Sequence, residues 1–179
     1  MRTVTFGVAN SLDNFIARAD GGVDWLQWTE EVAAFTSRFW KTIDTVVMGR
    51  KTYEVAAQRG TPAYPGVTNY VCSRTLTQNP APAVELVTED AVGFVARLKQ
   101  GKGKGICIMG GGQLAAALFE GDVIDEVGLN VHPVLLGSGI PLFLPMQRQI
   151  DLELSEHQPL GNGCVLLRYR VKHRRRAAA

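Results

Sequence analysis

Apolar and polar positions along the chain follow two alternating rhythms. Residues 3–9, "TVTFGVA", alternate and are rich in β-favouring types, which predicts a first strand. "SLDNFIARADGGVDW" follows as a loop, marked by Asp-Asn and Gly-Gly turn chemistry. Over residues 29–40 the apolar Val32, Phe35, Phe39 and Trp40 recur at helical spacing, behind Glu30 and Glu31, whose charges suit a helix start. "DTVVMG" is a continuous apolar run, the mark of a strand covered on both faces. "KTYEVAAQ" predicts a short helix closed by "RGTPAYPG"; "VTNYVCS" and "VELVT" predict strands. "EDAVGFVARLKQ" is helical, "GICIMG" a strand, "GGQLAAALFEG" a helix and "VIDEVGLNVHPVLL" a long strand region. "DLELSEHQPL", "GNG" and "CVLLRYRVKH" spell out a hairpin.

Strands that alternate with helices, followed by a hairpin, predict an α/β fold. Its central sheet should be mostly parallel, with helices on both faces and an antiparallel hairpin at the C-terminal end. No repeat or linker-like shift in composition interrupts the pattern, and "NPAPA" at residues 79–83 is a short connection. One domain over residues 1–172 is expected, with residues 173–179, "HRRRAAA", as a basic disordered tail.

Composition adds mainly exclusions. The chain has 179 residues and a formal charge of only +2, part of which sits in that tail, so the body shows no basic surplus for nucleic acid. The N-terminus lacks the apolar stretch of a signal peptide and no run is long enough to span a membrane. A cytoplasmic protein is expected. Cys72, Cys107 and Cys164 each lie inside an apolar strand-like run and read as buried thiols. His132, His157 and His173 do not cluster, so no metal site is expected.

Candidate chemistry gathers where strands hand over to helices. Gly110, Gly111 and Gly112 serve either a tight turn or the close approach of an anion to bare helix-start amides. In "VVMGRKTYE", Gly49 is followed by Arg50, Lys51 and Thr52 in a first helical turn, where cations oppose the helix dipole unless an anion neutralises them. "VCSRT" ends a third strand with Ser73 and Arg74. Three such strand ends together describe a long polyanionic ligand such as a dinucleotide.

In their order, "SLDNFIA", "VVMGRKTYE", "VCSRT", "IMGGGQL" and "HPVLLGSGIPLF" resemble the dihydrofolate reductase fold. They are most similar to the reductase domain of the bacterial bifunctional deaminase-reductase of riboflavin biosynthesis. The resemblance implies a three-layer fold and NADPH as cofactor. It places Ala9, Ile16 and Ala17 along the nicotinamide, and Gly49, Arg50, Lys51 and Thr52 at the pyrophosphate and adenosine side. Ser73 and Arg74, with Arg50, would take the 2′-phosphate, since arginine forks suit phosphate. Gly111, Gly112, Gln113 and Leu114 would meet the pyrophosphate.

On the substrate side the chain departs from folate reductases. The position of their helical carboxylate falls at Ala33, with Glu30 and Glu31 nearby. Asn130 stands where they carry a supporting hydroxyl and could hydrogen-bond a substrate; Trp25 is a candidate pocket wall and Asp24 a candidate proton donor. A phosphorylated substrate would need a basic pocket, for which Arg18 and Lys41 are candidates. The resulting expectation is hydride transfer to a small pyrimidine-, pterin- or imine-like substrate, of the 5-amino-6-(5-phosphoribosylamino)uracil reductase kind. The alternatives are a dihydrofolate reductase with a displaced acid and a non-catalytic NADP-binding module. Relatives of this group are often homodimers, and the hairpin offers an edge for pairing.

Overall fold

In the computed structural model, which describes residues 1–174, β1 (Val4–Ser11) runs through the interior of an eight-stranded sheet. Its position follows from its sequence: Val4, Thr5, Phe6, Asn10 and Ser11 are all buried, so it needs neighbours on both edges and cover on both faces. The chain continues through β2 (Phe15–Ala17), α1 (Glu30–Lys41), β3 (Ile43–Gly49), α2 (Arg50–Gln58), β4 (Thr68–Cys72) and β5 (Val84–Val87). Then come α3 (Ala91–Gln100), β6 (Gly105–Met109), α4 (Gly112–Glu120), β7 (Glu126–His132), β8 (Ile140–Pro141), β9 (Leu152–Pro159) and β10 (Val165–Val171).

The strand order is β5-β4-β3-β6-β1-β7-β10-β9. Pairing is parallel from β5 to β7, while β10 runs antiparallel to both β7 and β9. The expected parallel sheet with a hairpin at one edge is therefore what forms. On one face α3 and α4 bury Val95, Leu114, Leu118 and Phe119 against Phe6, Ile106, Ile108 and Val127. On the other, Tyr53 of α2 and Phe39 and Trp40 of α1 pack on Val46, Met48, Val71 and Cys107. Three layers result.

Two expectations need correction. Residues 11–25 are not all loop, since β2 pairs with β8 in a separate two-stranded sheet. A strand of three residues is too short to display alternation. The long strand region also shortens: only Glu126–His132 pairs, while Val123 and Ile124 enter the core ahead of it. After Pro133 the chain is held by Asp13, which accepts from the Leu136 and Gly137 amides at 3.1 and 2.7 Å. Ser11 donates to the same carboxylate at 2.6 Å. The motifs "SLD" and "PVLLGSG" are thus two halves of one clasp.

All three cysteines are free; Cys107 and Cys164 are buried and Cys72 is half-buried. Burial pushes the Cys72 thiol up to about 11 and the Cys107 thiol to about 12, so neither supplies a thiolate near neutrality. Of the tail expectation, residues 175–179 lie outside the described residues. His173 sits against two carboxylates, 3.3 Å from Asp122 and 2.9 Å from Asp125.

Candidate functional site

The first turns of the four helices differ in one respect. α1 is capped by Thr29, whose hydroxyl accepts from the Val32 amide at 3.3 Å, and α3 by Asp90, which accepts from Val92 and Gly93. α2 starts at Gly49 and α4 at Gly111, and neither has a side-chain cap. Free amides at a helix start are anion donors. Both bare starts open onto one cleft of about 650 Å³, within the usual range of cofactor sites, about 300–1,000 Å³.

The cleft collects most of the residues expected from the strand ends. Gly49, Arg50, Lys51, Ser73, Arg74, Gly111, Gly112, Gln113 and Leu114 all line it. Lys51 and Arg74 are exposed and have no ion-pair partner among the described residues. Arg50 is engaged by Glu54 at 2.6 Å one turn on. The cleft also receives Glu89 and Asp90, which the sequence did not single out. Both are committed: Glu89 pairs with Arg97 at 2.5 Å, and Asp90 caps α3. The charge left free in the cleft is therefore positive.

Two expected ligands act indirectly. The Ser73 hydroxyl accepts from the Thr75 and Leu76 amides at 3.2 and 3.1 Å, so it shapes the turn that presents Arg74. Thr52 does not line the cleft; it backs the glycine turn, so closely that a Cβ at Gly110 would meet its hydroxyl at 3.0 Å. Gly110 and Gly111 have φ of +54° and +75°, so the turn needs glycine for its backbone as well. Ile16 and Ala17 lie on β2, beside Ile140 and Pro141 of β8, which do line the cleft. Ile16 itself packs on the core and Ala17 is buried.

A second hollow, a cavity of about 300 Å³ by the same measure, lies on the α1 face of the sheet. Met109 lines it and Gly111 lines the cleft, so the β6–α4 turn contributes to both spaces. Its walls are Trp28, Phe35, Phe39 and Trp40; Ala9 and Asn130 face it from β1 and β7. Asn130 Oδ1 is buried with no hydrogen-bond partner. Further along the same sheet, on β10 and β9, stand Arg168, Glu156 and Gln158.

Trp25 and Asp24 lie outside both hollows. Trp25 is buried edge-on against His132, with ring centroids 5.4 Å apart, so it is a core residue; Trp28, three positions on, is the pocket wall. Asp24 is exposed and bridged to Arg18 at 2.7 Å. The Arg18 hydrogen bond holds its carboxyl below the usual range, which is unsuited to a proton donor. Glu31 is likewise occupied, accepting from the Gly161 amide at 2.8 Å. No carboxylate of α1 lines the cavity.

His132 is buried, and its Nδ1 accepts from the Gln27 amide at 3.3 Å, with Cys164 Sγ at 3.4 Å. Burial lowers its pKa from 6.5, so below pH 6.5 the unfolded chain takes up a proton that the folded ring refuses. Stability should therefore fall with pH from that point down to the depressed folded value, with a limiting slope of about 1.4 kcal/mol per pH unit. Urea midpoints of wild type and His132→Gln between pH 5 and 7 check this; equal slopes would exclude it.

Sheet order and helix layers define an α/β domain with a mostly parallel central sheet, the fold that the motif resemblance implied. The chain belongs to the RibD C-terminal domain family, whose profile matches residues 2–166. Among curated proteins, the uncharacterized YwjB of Bacillus subtilis (strain 168) is 40% identical over 168 residues, covering 92% of this chain and 95% of its own. YyaP of the same organism, also uncharacterized, is 29% identical over 180 residues, covering 94% of each chain. A protein provisionally named for riboflavin biosynthesis, from Shewanella sp. PV-4, shares the fold with a TM-score of 0.84 at 26% identity, covering 97% of this chain and all 100% of that one. The Thermotoga maritima diaminohydroxyphosphoribosylaminopyrimidine deaminase/5-amino-6-(5-phosphoribosylamino)uracil reductase has a TM-score of 0.73 at 14% identity, which speaks to fold alone. That match covers 96% of this chain and 57% of the longer protein. Family and fold thus agree with the resemblance read from the motifs. No helix among the described residues is long and apolar enough to cross a membrane.

Proposed function

We propose that the chain is an NADPH-dependent reductase that transfers hydride to a small ring-containing substrate. The observation that supports this best is the convergence of two uncapped helix starts and two unpaired cations on one cleft, beside an apolar cavity. The amides following Gly49 and Gly111 would hold the pyrophosphate, and Arg74, presented by the Ser73 turn, the 2′-phosphate. Ala9, which lines the cavity, and the β2 backbone would border the nicotinamide.

Reduced nicotinamide supplies the hydride; the chain positions the acceptor, excludes water and delivers a proton. Glu156 is the carboxylate lining the cavity and is half-exposed, so a proton would come through it or through solvent at the β9–β10 rim. A folate reductase with a displaced acid finds no support in this lining. The outer edge of β9, with Leu152 and Leu154 exposed, is where a second copy would pair.

Arg74→Ala tests the assignment. It should weaken NADPH by about 1–3 kcal/mol, the loss of a charged hydrogen bond, and leave NADH nearly unchanged. Calorimetric titration of both cofactors reads this, and equal weakening would contradict the 2′-phosphate role. NADPH that binds but is never oxidised across a substrate panel would favour the non-catalytic module.

A further inference from the structure

We infer that the substrate cavity takes a flat, uncharged ring without a phosphate, an inference that rests on the reductase reading. The floor of the cavity is made by two glycines in facing strands. Gly7 of β1 and Gly128 of β7 are register partners, and both line the cavity. Glycine weakens a strand interior and is kept there where a turn, a bulge or a close approach requires it. Neither position has a positive φ. A Cβ at Gly128 would meet only Thr5 Cγ2, at 4.0 Å, and one at Gly7 would touch Cys107 and Phe39 at an ordinary 3.7 Å. The fold itself would accept alanine at both, so what the glycines provide is depth over bare backbone. Phe35 and Phe39 wall that space with aromatic surface, the shape and chemistry of a planar heterocycle.

Polar features narrow the class. Asn130 lies two residue pairs beyond the floor, and its unpartnered Oδ1 would be satisfied by an N–H on the ring's edge. The charged residues of the lining are Glu156 and Arg168, 3.7 Å apart and of opposite sign. Arg18 and Lys41, the basic residues a phosphate would have needed, do not line the cavity, and Arg18 is bound by Asp24. A dianionic group reaching this rim would meet the Glu156 carboxylate beside Arg168 and gain no unpaired cation. The lining therefore selects against the phosphorylated members of any ring series.

Calorimetry in the absence of cofactor tests this with lumazine, a flat N–H-bearing bicycle uncharged at pH 6.5, and with the matched pair uridine and uridine 5′-monophosphate. Lumazine should bind saturably, and Gly128→Ala, which places a methyl on the floor, should weaken it at least tenfold without lowering the urea midpoint. The monophosphate should bind no tighter than uridine. The inference is overturned if lumazine does not bind, if Gly128→Ala binds it unchanged, or if the monophosphate binds tenfold tighter than uridine. NADPH titrated separately into the same samples keeps the two proposals apart: failed uptake removes the cofactor assignment, whereas failed lumazine binding removes only the ring assignment.

Discussion

Gly111→Ala is expected to weaken NADPH binding about a hundredfold, the equivalent of losing one or two charge-assisted backbone hydrogen bonds. Gly111 adopts φ +75° at the start of α4, a conformation that costs an L-residue about 1–2 kcal/mol. The added methyl would lie 3.4 Å from the Thr52 hydroxyl and 3.7 Å from the Gly49 backbone, in the gap between the two uncapped helix starts. A phosphate bridging those starts would lose its approach, and relief of the strain would turn the α4 amides away. Far-UV circular dichroism should show an intact fold, so the loss would be read directly by calorimetry. Affinity within a factor of three of wild type would contradict the placement of the pyrophosphate.

Phe6→Ala should have the largest effect on stability, about 3–5 kcal/mol. Phe6 is 1% exposed and packs edge-on against Phe119, with centroids 5.7 Å apart, and tilted against Phe143 at 6.0 Å. Removing the ring leaves a cavity between the sheet and α4 that close-packed neighbours fill only in part. The urea midpoint should drop with little change in slope, and Phe6→Leu should recover more than half of the loss. A loss below about 1 kcal/mol would show that the site collapses freely, contrary to the packing described. Function follows by geometry: β1 turns Phe6 to the α3–α4 layer and Gly7 to the cavity, so anchoring one residue fixes the depth provided by the next.

The cofactor cleft was easier to read from sequence than the substrate cavity, for a physical reason. Its donors come in local runs, Gly49–Lys51, Ser73–Arg74 and Gly111–Leu114, because a bare helix start is a local object. The cavity is assembled from parts of α1, β1, β6, β7, β9 and β10 that are far apart in the chain, and the residues each contributes read as ordinary helix or strand positions. Trp25 and Trp28 lie in one irregular loop, and only packing on His132 shows that Trp25 is core and Trp28 borders the cavity. Gly7 and Gly128 carried a usable signal, a glycine inside a strand pattern, whose meaning appears once the two are paired. The motifs mark Arg50 and Ser73, whereas their hydrogen-bond partners Glu54 and the Thr75 amide show only in the fold.

Periodicity and turn chemistry along the chain were sufficient for the order of elements, the parallel sheet, the terminal hairpin and the glycine turn at α4, since each depends on residues close together in sequence. The pairing of β2 with β8, the neutral rim formed by Glu156 and Arg168, and the facing glycines under the cavity emerged only on folding. Those features depend on strand register, which brings Gly7 beside Gly128 across 120 residues of intervening chain. No local pattern encodes a distance of that kind.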